Sequence, residues 1–378
     1  MADTLLDLTR SCIRCGFCLE SCPTFQETGD EAESPRGRIS LIRRVEEGLL
    51  DRAEIQTHLD TCVGCRACET ACPSGVRYGK ILEYARAQQP SRPRALNLAT
   101  RPTMLKLASG LRSLGMARVP GSLAGSPESV ELPSIEPRFD WPPLGDLPPV
   151  RVRASLLTGC AMRTLFPNVH DATRRTLRRL GIEVDDSTDL GCCGSLHAHQ
   201  GWLDEGHTSA DQVAKKAGGR LIVVNSAGCG GWLKECGVPN VLDITEVYLE
   251  YGLIPLLEAA APYRKRVTYH DACHLAHGQR IRSQPRDLLE AIPGIEFIPL
   301  ANSDRCCGSA GIYSVTQPAM AHTLRDAKWA TIEATGAEIV AMGNPGCHAW
   351  LAQASRSAKS SIRVMHTAEV LECALSGC

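Results

Sequence analysis

No run of eighteen or more apolar residues occurs in this chain of 378 residues, so no segment reads as a helix that crosses a bilayer. Residues Met1 to Asp7 lack the basic start and apolar core of a secretory signal, and a cytoplasmic protein is the expectation. An excess of one charge is missing as well. Forty-one Lys and Arg stand against forty-two Asp and Glu, which leaves no global field to recruit nucleic acid or an anionic membrane. Partners must be chosen by local surfaces, and no nucleic acid is expected among them. A glycine fingerprint for flavin or nicotinamide is absent too: Gly218-Gly219 precedes a strand-like segment rather than linking a strand to a helix. Substrate chemistry on such a cofactor belongs to another chain.

Cysteine is abundant, at nineteen residues. Eight of them repeat one spacing, Cys12-x2-Cys15-x2-Cys18-x3-Cys22-Pro23 and Cys62-x2-Cys65-x2-Cys68-x3-Cys72-Pro73, the bacterial ferredoxin pattern for two [4Fe-4S] clusters. Three thiolates so spaced can wrap one cubane within a tight loop, and the fourth arrives from the other run. The expected ligand sets are Cys12, Cys15, Cys18 and Cys72 for one cluster, and Cys62, Cys65, Cys68 and Cys22 for the other. Zinc sites favour separated C-x2-C pairs, and disulfide frameworks belong to small secreted domains, so neither explains a doubled run of this kind.

The length accommodates two or three domains. Residues 1–90 read as a two-cluster ferredoxin-type domain in which Pro35 opens a helix with Ile39, Ile42 and Val45 on one face. Its cluster loops should be bridged by helices rather than by a small sheet. Residues 91–150 read as a basic helix followed by a linker. Between Arg86 and Ser126 there is no acidic residue, whereas Arg86, Arg92, Arg94, Arg101, Lys106, Arg112 and Arg118 are basic. Met104, Leu107, Leu111 and Leu114 add an apolar stripe; such a segment either docks on its own protein or lies on a partner or an anionic membrane surface. Pro120 to Val150, with two Pro-Pro pairs, reads as extended.

The remainder is an internal repeat, 151–262 and 263–378. Cys160 is followed by Cys192-Cys193-Gly194 and then Cys229; Cys273 is followed by Cys306-Cys307-Gly308 and then Cys347. Strand-like segments at 152–157, 221–224, 267–269, 295–298 and 338–341 alternate with helix-like ones at 168–180, 287–292 and 319–334. That alternation predicts α/β domains with parallel sheets, with the cysteines gathered at the ends of strands where such sheets bind ligands. A vicinal cysteine pair closes an ordinary disulfide only with strain, but can share or bridge metal ions, and the glycine after it lets the backbone turn close to a bulky centre. The candidate metal ligands are Cys160, Cys192, Cys193 and Cys229 in one copy and Cys273, Cys306, Cys307 and Cys347 in the other.

This doubled pattern resembles the CCG, or cysteine-rich, domain of heterodisulfide reductase B-type subunits, which binds noncubane [4Fe-4S] clusters in that family. The whole chain is similar to the iron–sulfur subunits of glycolate oxidase, most clearly at Pro35-Arg-Gly-Arg-Ile39, Cys68-Glu-Thr-Ala-Cys-Pro-Ser-Gly-Val-Arg-Tyr78, Asn225-Ser-Ala-Gly-Cys-Gly230 and Cys306-Cys-Gly-Ser-Ala-Gly-Ile-Tyr-Ser314. One departure stands out: the heterodisulfide reductase pattern closes with C-x2-C, whereas Trp232 and Trp350 stand three residues after Cys229 and Cys347. Each copy thus offers four sulfurs, which suits an ordinary cluster, or zinc in one copy. His270, His274 and His277 crowd Cys273, and His274 is a further candidate ligand; His197 and His199 follow the first CCG. Cys236, Cys373 and Cys378 have no place in the repeat and read as incidental thiols.

The resemblance implies two [4Fe-4S] clusters in the ferredoxin domain and one or two further iron–sulfur clusters in the CCG domains, with no flavin in this chain. It implies a subunit that takes electrons from an FAD-containing 2-hydroxy acid dehydrogenase and hands them on towards a quinone or another membrane-associated acceptor, which places the protein peripherally at the inner face of the cell membrane. Subunits of D-lactate, lactate-utilisation or glycerol-3-phosphate dehydrogenase complexes share parts of this architecture. Thiol–disulfide catalysis of the heterodisulfide reductase kind is a further alternative.

Overall fold

The computed structural model describes residues 4–91 and 93–378; Arg92 of the basic segment lies outside the described residues. The cysteine-bearing N-terminal part is helical. Helices α1 (Leu5–Arg10), α2 (Pro35–Glu46), α3 (Arg52–Thr61) and α4 (Tyr78–Ala87) close around Ile39, Ile42, Ile55, Leu59 and Ile81. Pro35 begins α2 as expected, and the Ser34 hydroxyl caps it by accepting the Gly37 N–H at 2.9 Å. Arg38 is wholly buried. It pairs with Glu33 and donates to the His58 carbonyl at 2.6 Å and to Thr24 Oγ1 at 3.1 Å, tying α2 to α3 and to the chain that precedes α2.

Helix α5 (Pro102–Ser113) lies within the basic segment, but the apolar stripe read from its sequence is not its packed face. Leu105, Ala108 and Ser109 point inward, while Met104, Leu107 and Leu114 are exposed, Leu114 to 86%. The helix docks through Leu105 and small side chains that allow close approach, while Met104, Leu107 and Leu114 are left to solvent. The Pro-rich stretch is less extended than expected: Arg118–Val119 pairs antiparallel with Val130–Glu131, and Arg112 braces the turn by pairing with Glu131 at 2.8 Å. No described helix is long and apolar enough to cross a membrane.

Two four-stranded sheets follow. The first holds β1 (Val152–Leu156), β2 (Ile182–Val184), β3 (Leu221–Val224) and β4 (Val241–Asp243) in the order 2-1-3-4, all parallel. The second holds β5 (Lys265–Tyr269), β6 (Ile295–Phe297), β7 (Ile339–Met342) and β8 (Arg363–His366) in the matching order 6-5-7-8, again all parallel. The crossover helices correspond as well: α6 (Pro167–Arg179), α7 (Leu203–Ala217), α8 (Ala227–Glu235) and α9 (Ile244–Glu250) against α10 (Gln284–Glu290), α11 (Pro318–Glu333), α12 (Pro345–Ser357) and α13 (Thr367–Ser376). Strands β2, β4 and β8, three or four residues each and interrupted by Glu183, Asp243 and Arg363 with His366, do not stand out as strands in the sequence.

The copies share one core. Helix α6 packs on α13, and α9 on α10, so Leu156, Tyr248, Val267, Tyr269, Leu288 and Leu371 belong to a single apolar cluster. Glu372, fully buried at this seam, accepts from Arg175 Nε at 2.8 Å, Thr176 Oγ1 at 3.0 Å and Arg179 Nη2 at 3.2 Å. The carboxyl ends of the sheets meet directly. The Ala227 N–H donates to the Gly343 carbonyl at 3.0 Å, and the Gly228 N–H to Asn344 Oδ1 at 3.2 Å. Below them His170 Nε2–H donates to the Thr158 carbonyl (3.1 Å), and its Nδ1 accepts from the Asn225 amide (3.1 Å). His366 Nε2–H donates to the Asn225 carbonyl (2.9 Å), and its Nδ1 accepts the Ala368 N–H (3.1 Å).

Both imidazoles are therefore fixed as neutral, and burial pushes His170 down to about 3 and His366 down to about 4 from an ordinary value of 6.5. The unfolded chain binds these two protons below pH 6.5 and the folded chain does not, so stability falls as pH drops through 6.5 and the decline levels off only below the folded values. Each histidine steepens that fall by up to about 1.4 kcal/mol per pH unit. Thermal melting from pH 8 to pH 5 tests this: His170→Gln should melt lower than the parent at neutral pH yet show a flatter decline in acid.

Candidate iron–sulfur sites

The first ferredoxin loop brings Cys12, Cys15 and Cys18 together with Cys72 around a small cavity of about 30 Å³ that Cys68 and Tyr78 also line. Cys15 is exposed, and Ile13 and Phe17 beside it are each 68% exposed. The second loop is inside: Cys62, Cys65 and Cys68 are buried, and so is Cys22. Burial pushes the Cys65 and Cys68 thiols far up, and Cys22 and Cys62 are close enough to add to the shift of both. Backbone N–H groups point at sulfur, Gly64 to Cys62 and Val76 to Cys72, each at 3.4 Å, and the Tyr78 hydroxyl reaches Cys62 Sγ at 3.5 Å. Burial works against the charge of Arg38, but the nearby Cys62, Tyr78 and Cys22 hold it above the ordinary arginine value. A fixed cation thus stands beside the second thiol set.

In the first sheet domain, Cys160 follows β1, Cys192 and Cys193 lie beyond β2, and Cys229 sits in the first turn of α8. Hydrogen bonds from Cys160 and Cys193 hold Cys192 down to about 3, and Cys193 also bonds to Cys229, so the four thiols form one chain of contacts. The second domain repeats this chain through Cys273, Cys306, Cys307 and Cys347. The residue three before each last cysteine donates to it: Ser226 Oγ to Cys229 at 3.3 Å, Asn344 Nδ2 to Cys347 at 3.7 Å. Thiols of both copies, with Cys62, line one continuous cavity of about 920 Å³.

The glycine after each vicinal pair has a different duty from the one expected. Gly194 and Gly308 adopt φ of +89° and +81°, and an added Cβ would stand 2.5 Å from the Gly206 carbonyl and 2.6 Å from the Ala321 carbonyl. The close approach is to helices α7 and α11, not to the centre. Trp232 and Trp350, where the fifth cysteine of the heterodisulfide reductase pattern would stand, also match: His207 lies 5.1 Å from Trp232 and His322 lies 5.1 Å from Trp350, both tilted by 44°.

Histidines near the thiols divide by their partners. His274, in a single π-turn (His274–Gly278), has Nδ1 3.9 Å from Cys273 Sγ, and its ring stacks on His199 at 5.0 Å. His199 bonds to Glu83 of α4 (2.8 Å) and to Ser195 (3.0 Å), and His277 bonds to Thr70 (2.9 Å) and the Asp304 carbonyl (3.2 Å). These two link the ferredoxin part to the sheets. His197 approaches Glu205 at 3.7 Å. His270, only one of several histidines in the sequence motif, lies with Cys307 and Cys347 in a group whose ligand atoms are within 4.8 Å of one another. Lys328 had no sequence signal. It is buried beside Cys306 and Cys307, and burial pushes it down to about 8 although those cysteines favour its charge. Cys373 and Cys378, read as incidental, stand with their sulfurs 3.0 Å apart.

Four soft thiol donors per set, largely buried in the second ferredoxin and second sheet-domain sets where Arg38 and Lys328 stand beside them, fit iron–sulfur clusters well. A model of the 4Fe-4S dicluster domain matches residues 9–76, and a model of the cysteine-rich domain matches residues 154–234 and 267–352. The glycolate oxidase iron–sulfur subunit of Escherichia coli strain K12 is 35% identical over 99% of this chain and 95% of its own length. The chain belongs to the glycolate oxidase iron–sulfur subunit family. A probable glycolate oxidase iron–sulfur subunit of Bacillus subtilis strain 168 is 32% identical over 96% of this chain and 93% of its own length. More distant from this family member is a component of the dihydromethanophenazine:CoB–CoM heterodisulfide reductase of Methanosarcina barkeri, at 25% identity over 97% of this chain and 93% of its own length. Among solved structures, a hypothetical protein from Helicobacter pylori shares the fold, with a TM-score of 0.54 at 7% identity over 92% of this chain and 69% of that one.

The glycine geometry sets a stability test. Gly308→Ala should lower stability by about 2 kcal/mol or more, because left-handed backbone strain and a backbone clash add. Gly336→Ala, also at positive φ (+65°) but with open space around it, should cost about 1 kcal/mol. Equal melting temperatures for the two variants would remove the helix-contact explanation.

Proposed function

We propose that this protein is the iron–sulfur electron-transfer subunit of a glycolate-oxidising complex, accepting electrons from an FAD-containing partner and passing them towards a quinone or another acceptor. One observation carries the reading: Cys65 of the second ferredoxin loop lies in the same apolar cluster as Cys306, against Cys273. Ferredoxin thiols and sheet-domain thiols are therefore neighbours in a water-excluded line. Clusters held at these sites would take and release electrons singly, at potentials set by ligands, hydrogen bonds and exposure.

The assigned ligand sets are Cys12, Cys15, Cys18 and Cys72, then Cys62, Cys65, Cys68 and Cys22, then the four thiols of each sheet domain. Residues 1–90 form the ferredoxin-type domain, 91–150 the basic helix and linker, and 151–262 and 263–378 the two CCG domains. The exposed Cys15, rimmed by Ile13 and Phe17, is the side where the flavoprotein docks. Two side chains then do the rest: Tyr313 donates to the Thr61 carbonyl at 2.8 Å, and Arg86 to the Leu59 (2.7 Å), Cys62 (2.9 Å) and His199 (2.9 Å) carbonyls, clamping the second loop against both sheets. Elsewhere on the surface, exposed Met104, Leu107 and Leu114 beside Arg101 and Lys106 suit peripheral contact with an anionic membrane that carries the quinone. Thiol–disulfide catalysis is disfavoured because tryptophans stand where each fifth thiolate would be.

Anaerobic purification from the native host, followed by electron paramagnetic resonance before and after glycolate, tests the function. Reduced-cluster signals and a co-purifying flavoprotein are expected; clusters that only dithionite reduces would point to another electron donor. Cys72→Ser should remove about four iron atoms and the signal of the first-loop cluster while sparing the second. Phe17→Glu should keep full iron content and weaken co-purification of the flavoprotein at least tenfold; unchanged recovery would move the docking face elsewhere.

A further inference from the structure

We propose that His270 is a nitrogen ligand of the metal centre in the second CCG domain, binding the same metal atom as Cys307 and Cys347. This rests on the reading that the domain holds such a centre. His270 follows β5 and is completely buried, and neither of its ring nitrogens has a hydrogen-bond partner among the described residues. An orphaned buried polar atom costs about 1–3 kcal/mol, a cost relieved if a metal takes the lone pair. A proton carrier would need hydrogen-bonded neighbours on both sides of the ring, and His270 has only the Ser303 backbone near it.

Distance favours a single metal atom. A ligand atom of His270 and the Cys307 and Cys347 sulfurs all lie within 4.8 Å of one another. Ligands on one tetrahedral ion with metal–sulfur bonds of about 2.3 Å stand about 3.8 Å apart, whereas thiolates on different irons of a cluster are spread wider. Trp350 fills the position of the missing fifth cysteine. His270 supplies a fifth donor from a different element.

The first domain has no counterpart. Three residues before Cys160, where the second domain has His270 before Cys273, stands the buried Leu157. The two centres are therefore chemically unequal at this position, His270 adding an imidazole where the first domain has an apolar side chain. Compared with an anionic fifth thiolate, a neutral imidazole raises a reduction potential, as it does in Rieske centres, and Lys328 beside Cys306 and Cys307 acts in the same direction. The second centre is accordingly the more oxidising of the pair and the electron-collecting one next to Cys65.

The test uses the full chain, purified anaerobically with 15N-labelled or unlabelled histidine. Pulsed electron paramagnetic resonance of dithionite-reduced protein reads nitrogen bound to iron, and zinc-edge X-ray absorption reads imidazole on any zinc. A directly bound histidine nitrogen is expected in the parent and absent in His270→Leu, which reproduces the first domain. His270→Cys should keep the metal content, lose the nitrogen signal and shift the centre to a more negative potential. The inference is overturned if the parent shows no bound histidine nitrogen, if that signal persists in both variants, or if the second domain is metal-free while ferredoxin signals are intact. Absence of the ferredoxin signals as well would bring down the electron-carrier reading itself.

Discussion

The molecule depends on two parallel sheets meeting at their carboxyl ends. Backbone groups make that contact, Ala227 to Gly343 and Gly228 to the Asn344 side chain, so the turns after β3 and β7 are held within hydrogen-bonding distance. Strand ends in open α/β sheets are where ligands bind, and here two such edges enclose one cavity. Cysteines more than a hundred positions apart in sequence become neighbours because of this approach. Its polar groups are satisfied from below by Asn225, which bonds to His170 and His366 and so joins a helix of one copy to a strand end of the other.

Gathering thiols away from water carries an electrostatic demand. Thiolates are strongly disfavoured in a dry interior unless metal or cations balance them, and the fold supplies Arg38 beside Cys22 and Cys62 and Lys328 beside Cys306 and Cys307. Exposure is graded along the chain of sites. The first ferredoxin loop is open at Cys15, whereas the second loop and most thiols of the second sheet domain behind it are enclosed. That gradient gives an electron carrier one accessible end and a protected interior.

Duplication leaves a strong imprint and a few informative breaks. Sheet order, crossover helices, the turn at Gly194 and Gly308, and the histidine–tryptophan contacts are repeated almost feature for feature. Leu157 against His270 and Ser226 against Asn344 are where the copies part, and both differences border the thiols. Closely similar scaffolds thus place unlike side chains beside the thiols.

The sequence by itself determined the cysteine grammar, the duplication, the parallel α/β class and the helical ferredoxin-type start. Each rests on local spacing: loop-length ligand runs, matched repeats, and strand and helix periods that neighbouring residues impose on one another. The basic helix α5 shows the limit, since its spacing revealed an apolar stripe but not that Met104, Leu107 and Leu114 would stay exposed while Leu105 and Ala108 packed inward. Only the tertiary structure decided that choice of face, the joining of the two copies in one core, and the singling out of His270 from three histidines around Cys273. Those outcomes depend on contacts between segments remote in sequence, such as α6 on α13 and Cys65 against Cys273, and local periodicity carries no information about which distant surface a side chain will meet.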